Sequence, residues 1–343
     1  MFSSCLGGKS KPEKKDAPTE TAKPDTQKLS QAPVTSQKPS SKKYLVLVRH
    51  GERIDETFPE MTEDRGDEYW DTGITERGKK HSQETGFSII KLLDELRVLD
   101  NMVEITQHEG KTTATIRKIR FISSVFYRCL QTTQCIRKGM QQYLEDELNK
   151  NKSDLANSQR TAETNAVLLR RNAVLCAMLD LLVSRSTHLE EGCSEKIAGV
   201  PVSVLKKLRI EKDRERIHTE FADLKMVSGE MFDYSGKHKH LTIWKVFNKG
   251  PEIYNACEDF YKRIIRRLME APNHDVYVVV AHGMYVKVLM YFLELHQKGP
   301  LSKVDYNSSS VIELDVSQQQ SHKSTDGRPL VLRLVNEVLH SGK

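Results

Sequence analysis

YLVLVRHGERID, residues 44–55, is the stretch from which both the fold and the site can be inferred. Its first five residues are apolar and do not alternate with polar ones, which is typical of a strand buried on both faces. The next five, RHGER, carry two guanidinium groups and an imidazole, and Gly51 lets the backbone approach whatever those groups hold. Ligands of open α/β sheets bind at the carboxyl ends of the strands. The stretch therefore predicts an anion-binding active site.

A second apolar run, 276–281, ends in the same way, at His282-Gly283. Buried strands alternate with helical patterns from residue 44 to residue 298, which predicts right-handed βαβ crossovers. We therefore expect an α/β protein with three α/β/α layers and a mostly parallel central sheet. The alternation in 329–335 suits an antiparallel edge strand.

The composition bounds the class of protein. The chain has 343 residues, 38% of them hydrophobic, which suits a large α/β domain. No apolar run approaches the length of a membrane span, so we expect no transmembrane segment. The six cysteines form no CxxC pair, so the sequence offers no zinc or redox motif, and scattered thiols favour a cytoplasmic location.

The positive charge is concentrated in the leader, 1–42. Residues 1–43 hold nine Lys against four acidic residues, while the whole chain has a formal charge of +6. The rest is therefore nearly neutral, and we expect no nucleic-acid partner. The leader is polar and predicted to be disordered. A second interpretation is weak attraction to an anionic membrane surface, with Cys5 lipidated.

A third cation lies beyond a second predicted strand, 119–124. Arg128 falls in the first turn of the following helix, where a positive charge is unfavourable unless an anion binds there. Three stretches interrupt the α/β pattern as insertions, near 98–118, 149–170 and 186–250. The first includes a candidate hairpin, residues 149–165 are polar and predicted to be flexible, and 186–250 is interpreted as a cap over the sheet.

Four motifs occur in a familiar order: RHGER at 49–53, SSVFYRCLQT at 123–132, LEEG at 189–192 and VAHG at 280–283. Together they resemble the histidine phosphatase superfamily, in its phosphoglycerate-mutase-like branch, across residues 44–340. Within that branch, RHGER followed by a hydrophobic residue and Asp, and LEEGCSE at 189–195, are most similar to eukaryotic Sts-type phosphatase domains. Residues 43–343 are then expected to form a histidine phosphatase-like catalytic domain.

The resemblance implies metal-independent hydrolysis of phosphate monoesters through a phosphohistidine on His50, with no cofactor. Neutral imidazole is available near pH 7 and can attack phosphorus. Guanidinium forks suit phosphate because they bind it in a bidentate way and keep their charge. The motifs imply these phosphate ligands: Arg49, Arg53, Arg128 and His282. They also assign a catalytic role to His282 and make Glu190 the proton donor, with Glu191 as the alternative.

Several alternatives stay open at this stage. The same pocket would serve phosphoglycerate mutase-type phosphoryl transfer, and a binding or scaffold protein on a retired phosphatase fold is the rival from another class. The expected partner is a phosphorylated substrate, either protein phosphotyrosine or a small phosphate ester. A homodimer is also left open.

Overall fold

The fold is that of a computed structural model, whose described residues all belong to the unit Pro39–Lys343. These residues are 42–60, 72–108, 111–116, 118–156, 161–184, 187–189, 219–225, 227–228, 262, 268, 274–292, 304–315 and 331–338. The predicted leader lies outside them except for Lys42, so its disorder and its membrane attraction stay predictions.

The central sheet and one hairpin contain all the strands of the described residues. Their bounds are β1 Lys42–Arg49, β2 Val103–His108, β3 Lys111–Ile116, β4 Lys118–Ser123, β5 Thr187–Leu189, β6 Val227–Ser228, β7 His274–Ala281, β8 Ser309–Asp315 and β9 Val331–Val338. The sheet has the order β6-β5-β4-β7-β1-β8-β9. Neighbours from β6 to β1 are parallel, and β8 runs antiparallel to both β1 and β9. The predicted mostly parallel sheet is confirmed, with an antiparallel pair at its β9 edge.

Helices cover the sheet. Their bounds are α1 Ile54–Thr57, α2 Glu76–Glu95, α3 Val98–Met102, α4 Tyr127–Ala156, α5 Ala162–Ser184 and α6 Gly283–Phe292. Val46 and Val48 of β1 belong to one buried core with α2, α4 and α5. Leu45 and Leu47 alternate with them and are equally buried, so β1 is buried on both faces as its sequence predicts. Helix α6 contacts β1. No helix in the described part of the chain is long and apolar enough to cross a bilayer.

Helices α2 and α4 pack closely against each other. Thr75 caps α2 by accepting a hydrogen bond from the backbone N–H of Gly78 at 2.9 Å. Gly86 of α2 and Gly139 of α4 lie where the two helices meet, and a Cβ on either would collide with the backbone of the other helix. The helices therefore pack at a distance that only glycine permits at these two positions.

The structure corrects one expectation about insertions. Polar composition predicts that 149–165 is flexible, but 149–156 are the last turns of α4 and 162–165 begin α5. An exposed helix tolerates polar residues on all sides when local pairs support it, and Lys150 pairs with Glu147 one turn away at 3.4 Å. In the predicted cap, 186–250, two short segments form β5 and β6 of the sheet. Residues 186, 190–218, 226 and 229–250 lie outside the described part, so the cap itself stays a prediction. The candidate hairpin is confirmed as the antiparallel pair β2–β3.

Candidate active site

The two His-Gly motifs meet at the carboxyl ends of adjacent parallel strands. In the register of β1 with β7, Arg49 is opposite Ala281. The backbone N–H of His50 donates to the carbonyl of Ala281 at 2.9 Å. The rings of His50 and His282 are 5.2 Å apart between centroids, and the two residues are 2% and 1% exposed. The two histidines that the sequence singles out therefore lie side by side in the structure.

The hydrogen bonding of His50 determines its tautomer. Nδ1 lies 2.8 Å from the carbonyl oxygen of Gly51, and since a carbonyl can only accept, Nδ1 carries the proton. The lone pair of the neutral ring is then on Nε2. Burial lowers the pKa of His50 well below its ordinary value, and the charge of Arg128 lowers it next. Arg49 and Arg53 add to this effect, while the bond to Gly51 opposes it. His50 is thus held neutral at physiological pH.

Arg128 enters the site from the first turn of α4. It is 1% exposed, and its guanidinium carbon lies 4.4 Å from the centroid of the Phe126 ring. The electrostatic conflict read from the sequence is therefore real, since a buried guanidinium lies at a helix N-terminus. Its position close to His50 gives an anion two favourable neighbours, the arginine and the helix end.

Arg49 is held by the loop that precedes β8. Its Nη1 donates to the carbonyl of Val304 at 2.5 Å, and its guanidinium carbon lies 3.8 Å from the centroid of the Tyr306 ring. A Cβ on Gly283 would lie 3.2 Å from Nε of Arg49, so the glycine after His282 leaves room for this side chain. The sequence predicts that the two His-Gly turns are neighbours, but it does not predict the contacts of Arg49 with Val304 and Tyr306.

Arg53 is engaged by carboxylates. Its Nε donates to Oδ1 of Asp55 at 2.9 Å, its Nη2 pairs with the other oxygen of Asp55, and its Nη1 lies 3.2 Å from Oε1 of Glu56. Burial raises the pKa of Asp55, but hydrogen bonds from Arg53 and Thr72 outweigh it and leave the pKa below its ordinary value. Arg53 is therefore near His50 and already paired with two anions.

His282 is fixed from the β4 side. Its Nε2 forms a hydrogen bond with the hydroxyl of Ser124 at 3.0 Å and lies 3.7 Å from the sulfur of Cys129. The ring of Phe126 packs edge-on against it at 5.0 Å. The Ser124 hydroxyl thus orients an imidazole that faces His50.

Two neighbours of His50 serve the scaffold. The backbone N–H of Gly51 donates to Oγ1 of Thr132 at 2.9 Å, which ties the β1 loop to α4. Glu52 accepts from Thr75 at 2.7 Å and pairs with Arg77, and the bond from Arg77 is the main cause that lowers its pKa. Glu52 therefore supports the start of α2, and its carboxylate is committed outside the cluster.

The structure brings together five of the six residues that the sequence singles out. They are Arg49, His50, Arg53, Arg128 and His282. Glu190 and its alternative Glu191 lie outside the described residues; β5 ends at the preceding Leu189, opposite Ser123 of β4. Sequence reasoning missed Tyr306, which lies in the loop before β8 and belongs to none of the motifs.

The arrangement suits a multiply charged oxyanion, because three arginines exert their charge on the buried His50 and the ring of His282 lies next to it. Within the described ranges no group of three or more His, Cys, Asp or Glu side chains is placed to hold a metal ion.

Comparisons with known proteins give structural likenesses alone. No protein-family model and no curated protein matches the chain. A phosphoglycerate mutase from Bacillus anthracis str. Sterne matches at 12% identity over 81% of this chain and 90% of that chain, with a TM-score of 0.37. A mycobacterial glucosyl-3-phosphoglycerate phosphatase matches at 12% over 80% and 91%, with 0.34. A phosphoserine phosphatase from Entamoeba histolytica matches at 13% over 84% and 95%, with 0.33. Likenesses of this strength carry no inference about activity, and none of the three bears on the Sts-type branch.

Proposed function

We propose that this protein hydrolyses phosphate monoesters through a phosphohistidine formed on His50. The observation that carries the proposal is the state of His50, which is buried, neutral and surrounded by three arginines and a second histidine. A buried imidazole with its Nδ1 proton committed to Gly51 presents Nε2 as a nucleophile.

The first step forms a bond between Nε2 of His50 and phosphorus as the ester P–O bond breaks. The transferring group carries charge on its three equatorial oxygens. Arg49, Arg53 and Arg128 neutralise that charge, and His282 donates a further hydrogen bond to it. The leaving oxygen takes a proton from a carboxylic acid.

The second step returns the enzyme to its starting state. A water oxygen attacks phosphorus, the P–N bond breaks, and the carboxylate formed in the first step takes a proton from the water. The products are inorganic phosphate and the alcohol or phenol. One carboxyl group can serve both steps as acid and then as base.

We assign the acid to Glu190, with Glu191 as the alternative. The support is the motif LEEG at 189–192 and the position of β5, whose last residue, Leu189, pairs with the end of β4 beside Ser124 and His282. The substrate is a protein phosphotyrosine or a small phosphate ester. Glu190→Gln should slow para-nitrophenyl phosphate, whose leaving group is acidic, less than it slows an alkyl phosphate. Glu191→Gln tests the alternative in the same way.

Turnover of para-nitrophenyl phosphate in EDTA tests the proposal. We expect activity that survives chelation, is lost in His50→Ala and is retained in His81→Ala, a matched histidine change on α2. A rapid quench should trap a label on His50 that is labile in acid and stable in base. Activity that persists in His50→Ala, or that requires a metal ion, would refute the mechanism. Supplying 3-phosphoglycerate with 2,3-bisphosphoglycerate separates hydrolysis from isomerisation.

A further inference from the structure

Tyr306 connects two of the three arginines of the site. One face of its ring covers the Arg49 guanidinium, whose carbon lies 3.8 Å from the ring centroid. The same ring packs at 5.6 Å from the ring of His50. Its hydroxyl donates to Oε2 of Glu56, and the other oxygen of Glu56 pairs with Nη1 of Arg53. A single aromatic side chain therefore reaches the nucleophile, one arginine directly and a second arginine through a carboxylate.

The loop that carries Tyr306 is anchored on both sides. The backbone N–H of Arg49 donates to the carbonyl of Ser308 at 3.1 Å, and that of Asn307 donates to the carbonyl of His50 at 3.3 Å. Asn307 adopts a left-handed conformation, φ 58°, and its side-chain oxygen accepts from Ser82 of α2 at 2.7 Å. The ring is therefore placed against Arg49 by a fixed backbone.

The fork of Arg53 is occupied by carboxylates on all three nitrogens. Asp55 holds Nε and Nη2 and is largely shielded, with 15% of its side chain exposed. Glu56 holds Nη1 with 49% of its side chain exposed. A phosphoryl group that binds Arg53 through Nη1 competes with Glu56, which is the more exposed of the two carboxylates and is paired through a single nitrogen.

We propose that Tyr306 is a positioning residue of this phosphate site, and that the Glu56 carboxylate holds the place on Arg53 that a phosphoryl group takes. The inference rests on the proposed function for its ligand. The ring keeps Arg49 beside His50, and the hydroxyl keeps Glu56 on Nη1 until an oxyanion with more charge replaces it. Tyr306 thus positions Arg49 and, through Glu56, influences Arg53, without itself taking part in the chemical step.

The two parts of the proposal give different kinetic signatures. Tyr306→Leu removes the ring face and should lower kcat/KM about tenfold, mainly through kcat, because the cation–ring contact that holds Arg49 is lost. Tyr306→Phe keeps the ring and should restore kcat to within about twofold. Glu56→Gln removes the competing charge and should tighten orthovanadate binding roughly threefold.

The experiment measures para-nitrophenyl phosphate kinetics and orthovanadate binding by calorimetry on the full chain. Tyr44→Phe is the matched control for the hydroxyl, since Tyr44 donates to Glu313 at 3.0 Å at another part of β1. Glu60→Gln is the control for a charge change in the same loop. Both controls should behave like the unchanged protein.

Three outcomes would overturn the inference. Tyr306→Leu with unchanged kcat/KM would remove the positioning role, and so would equal losses in Tyr306→Phe. Orthovanadate binding that is unchanged or weaker in Glu56→Gln would remove the exchange on Arg53, and this arm needs no variant of Tyr306 to fold. Failure of the proposed function has a separate signature: the unchanged protein would turn over no phosphate ester, whereas the calorimetric result at Arg53 would still be readable.

Discussion

Replacing Gly139 with Ala should destabilise this protein, although the same change stabilises most helices. A Cβ at Gly139 would lie 1.8 Å from the carbonyl oxygen of Gln83 and 2.9 Å from the backbone nitrogen of Phe87. At Gly86, on the facing helix, a Cβ would lie 2.1 Å from the carbonyl oxygen of Ile136. These obstacles are backbone atoms, so no side-chain rotation can relieve the contact and the two helices must separate.

The magnitude follows from two opposing effects. Alanine is favoured over glycine in a helix interior by about 1 kcal/mol. Overpacking of a close contact costs about 1–3 kcal/mol, and here the Cβ must move from 1.8 Å to at least 3.4 Å from the oxygen of Gln83. The upper end of that range applies, which leaves a net destabilisation of about 2 kcal/mol. With an unfolding entropy of about 2.1 cal/mol/K per residue, we expect Tm to fall by about 3 °C in a chain of this size.

Urea and thermal unfolding of Gly139→Ala measure this change. The exposed neighbour Lys138 calibrates it, because the difference between Lys138→Ala and Lys138→Gly reports helix propensity without any steric obstacle. We expect Ala to be the more stable variant at 138 and the less stable one at 139. Activity should fall as well, since α4 carries Arg128 and, through Thr132, the backbone N–H of Gly51. A Gly139→Ala protein as stable as the original would refute the packing argument.

Three further predictions concern the site. Arg128→Gln should raise the pKa of His50, because Arg128 is the charge that lowers this pKa most. The same variant should weaken phosphate ester binding by about 10- to 100-fold. NMR titration of His50 measures the change in pKa, and Arg137→Gln is the control for loss of a buried arginine on the same helix. The pKa of His50 is lower in the folded protein than in the unfolded chain, so the unfolded state takes up the proton first as the pH falls. The contribution of His50 to the free energy of unfolding is therefore fully present above about pH 6.5 and declines below it. His50→Asn should flatten this dependence in urea titrations at stepped pH. Asn307→Ala should lower the free energy of unfolding by about 2 kcal/mol, because it removes the hydrogen bond from Ser82 and strains a left-handed backbone. Asn307→Gly removes the bond but tolerates the backbone, so it should lower the free energy of unfolding by about 1 kcal/mol. Thermal unfolding measures both.

The parts of the site that were predictable lie directly after strands or in the first turn of a helix. A strand buried on both faces has a distinct composition, and in a parallel sheet its carboxyl end has a known location. His50 and His282 each follow such a strand, so their proximity could be inferred before any coordinates. Arg128 could be inferred from its electrostatic misfit at a helix N-terminus. In each case a local pattern fixed a position relative to the sheet.

The parts that were not predictable depend on contacts between distant segments. Tyr306 reaches the site because the loop before β8 folds over Arg49, and no periodicity in its own sequence signals that. Strands β5 and β6 are too short to leave a periodic pattern, so the sequence does not show that this segment adds strands to the sheet. The glycines at 86 and 139 could be read only as weak positions in helices until the facing backbone was known.

The effect of the cations on His50 should change when a phosphoryl group binds. Burial and the three arginines keep the imidazole neutral, which preserves the lone pair on Nε2. A bound dianion cancels much of the arginine field, so the pKa of His50 should rise while the phosphorus is within reach of Nε2. The nucleophile of the proposed mechanism is then more basic only in the complex, where it faces phosphorus. For the proposed attack on phosphorus, a buried neutral histidine with its Nδ1 proton fixed therefore has an advantage over an exposed one. An exposed histidine would be partly protonated before substrate bound.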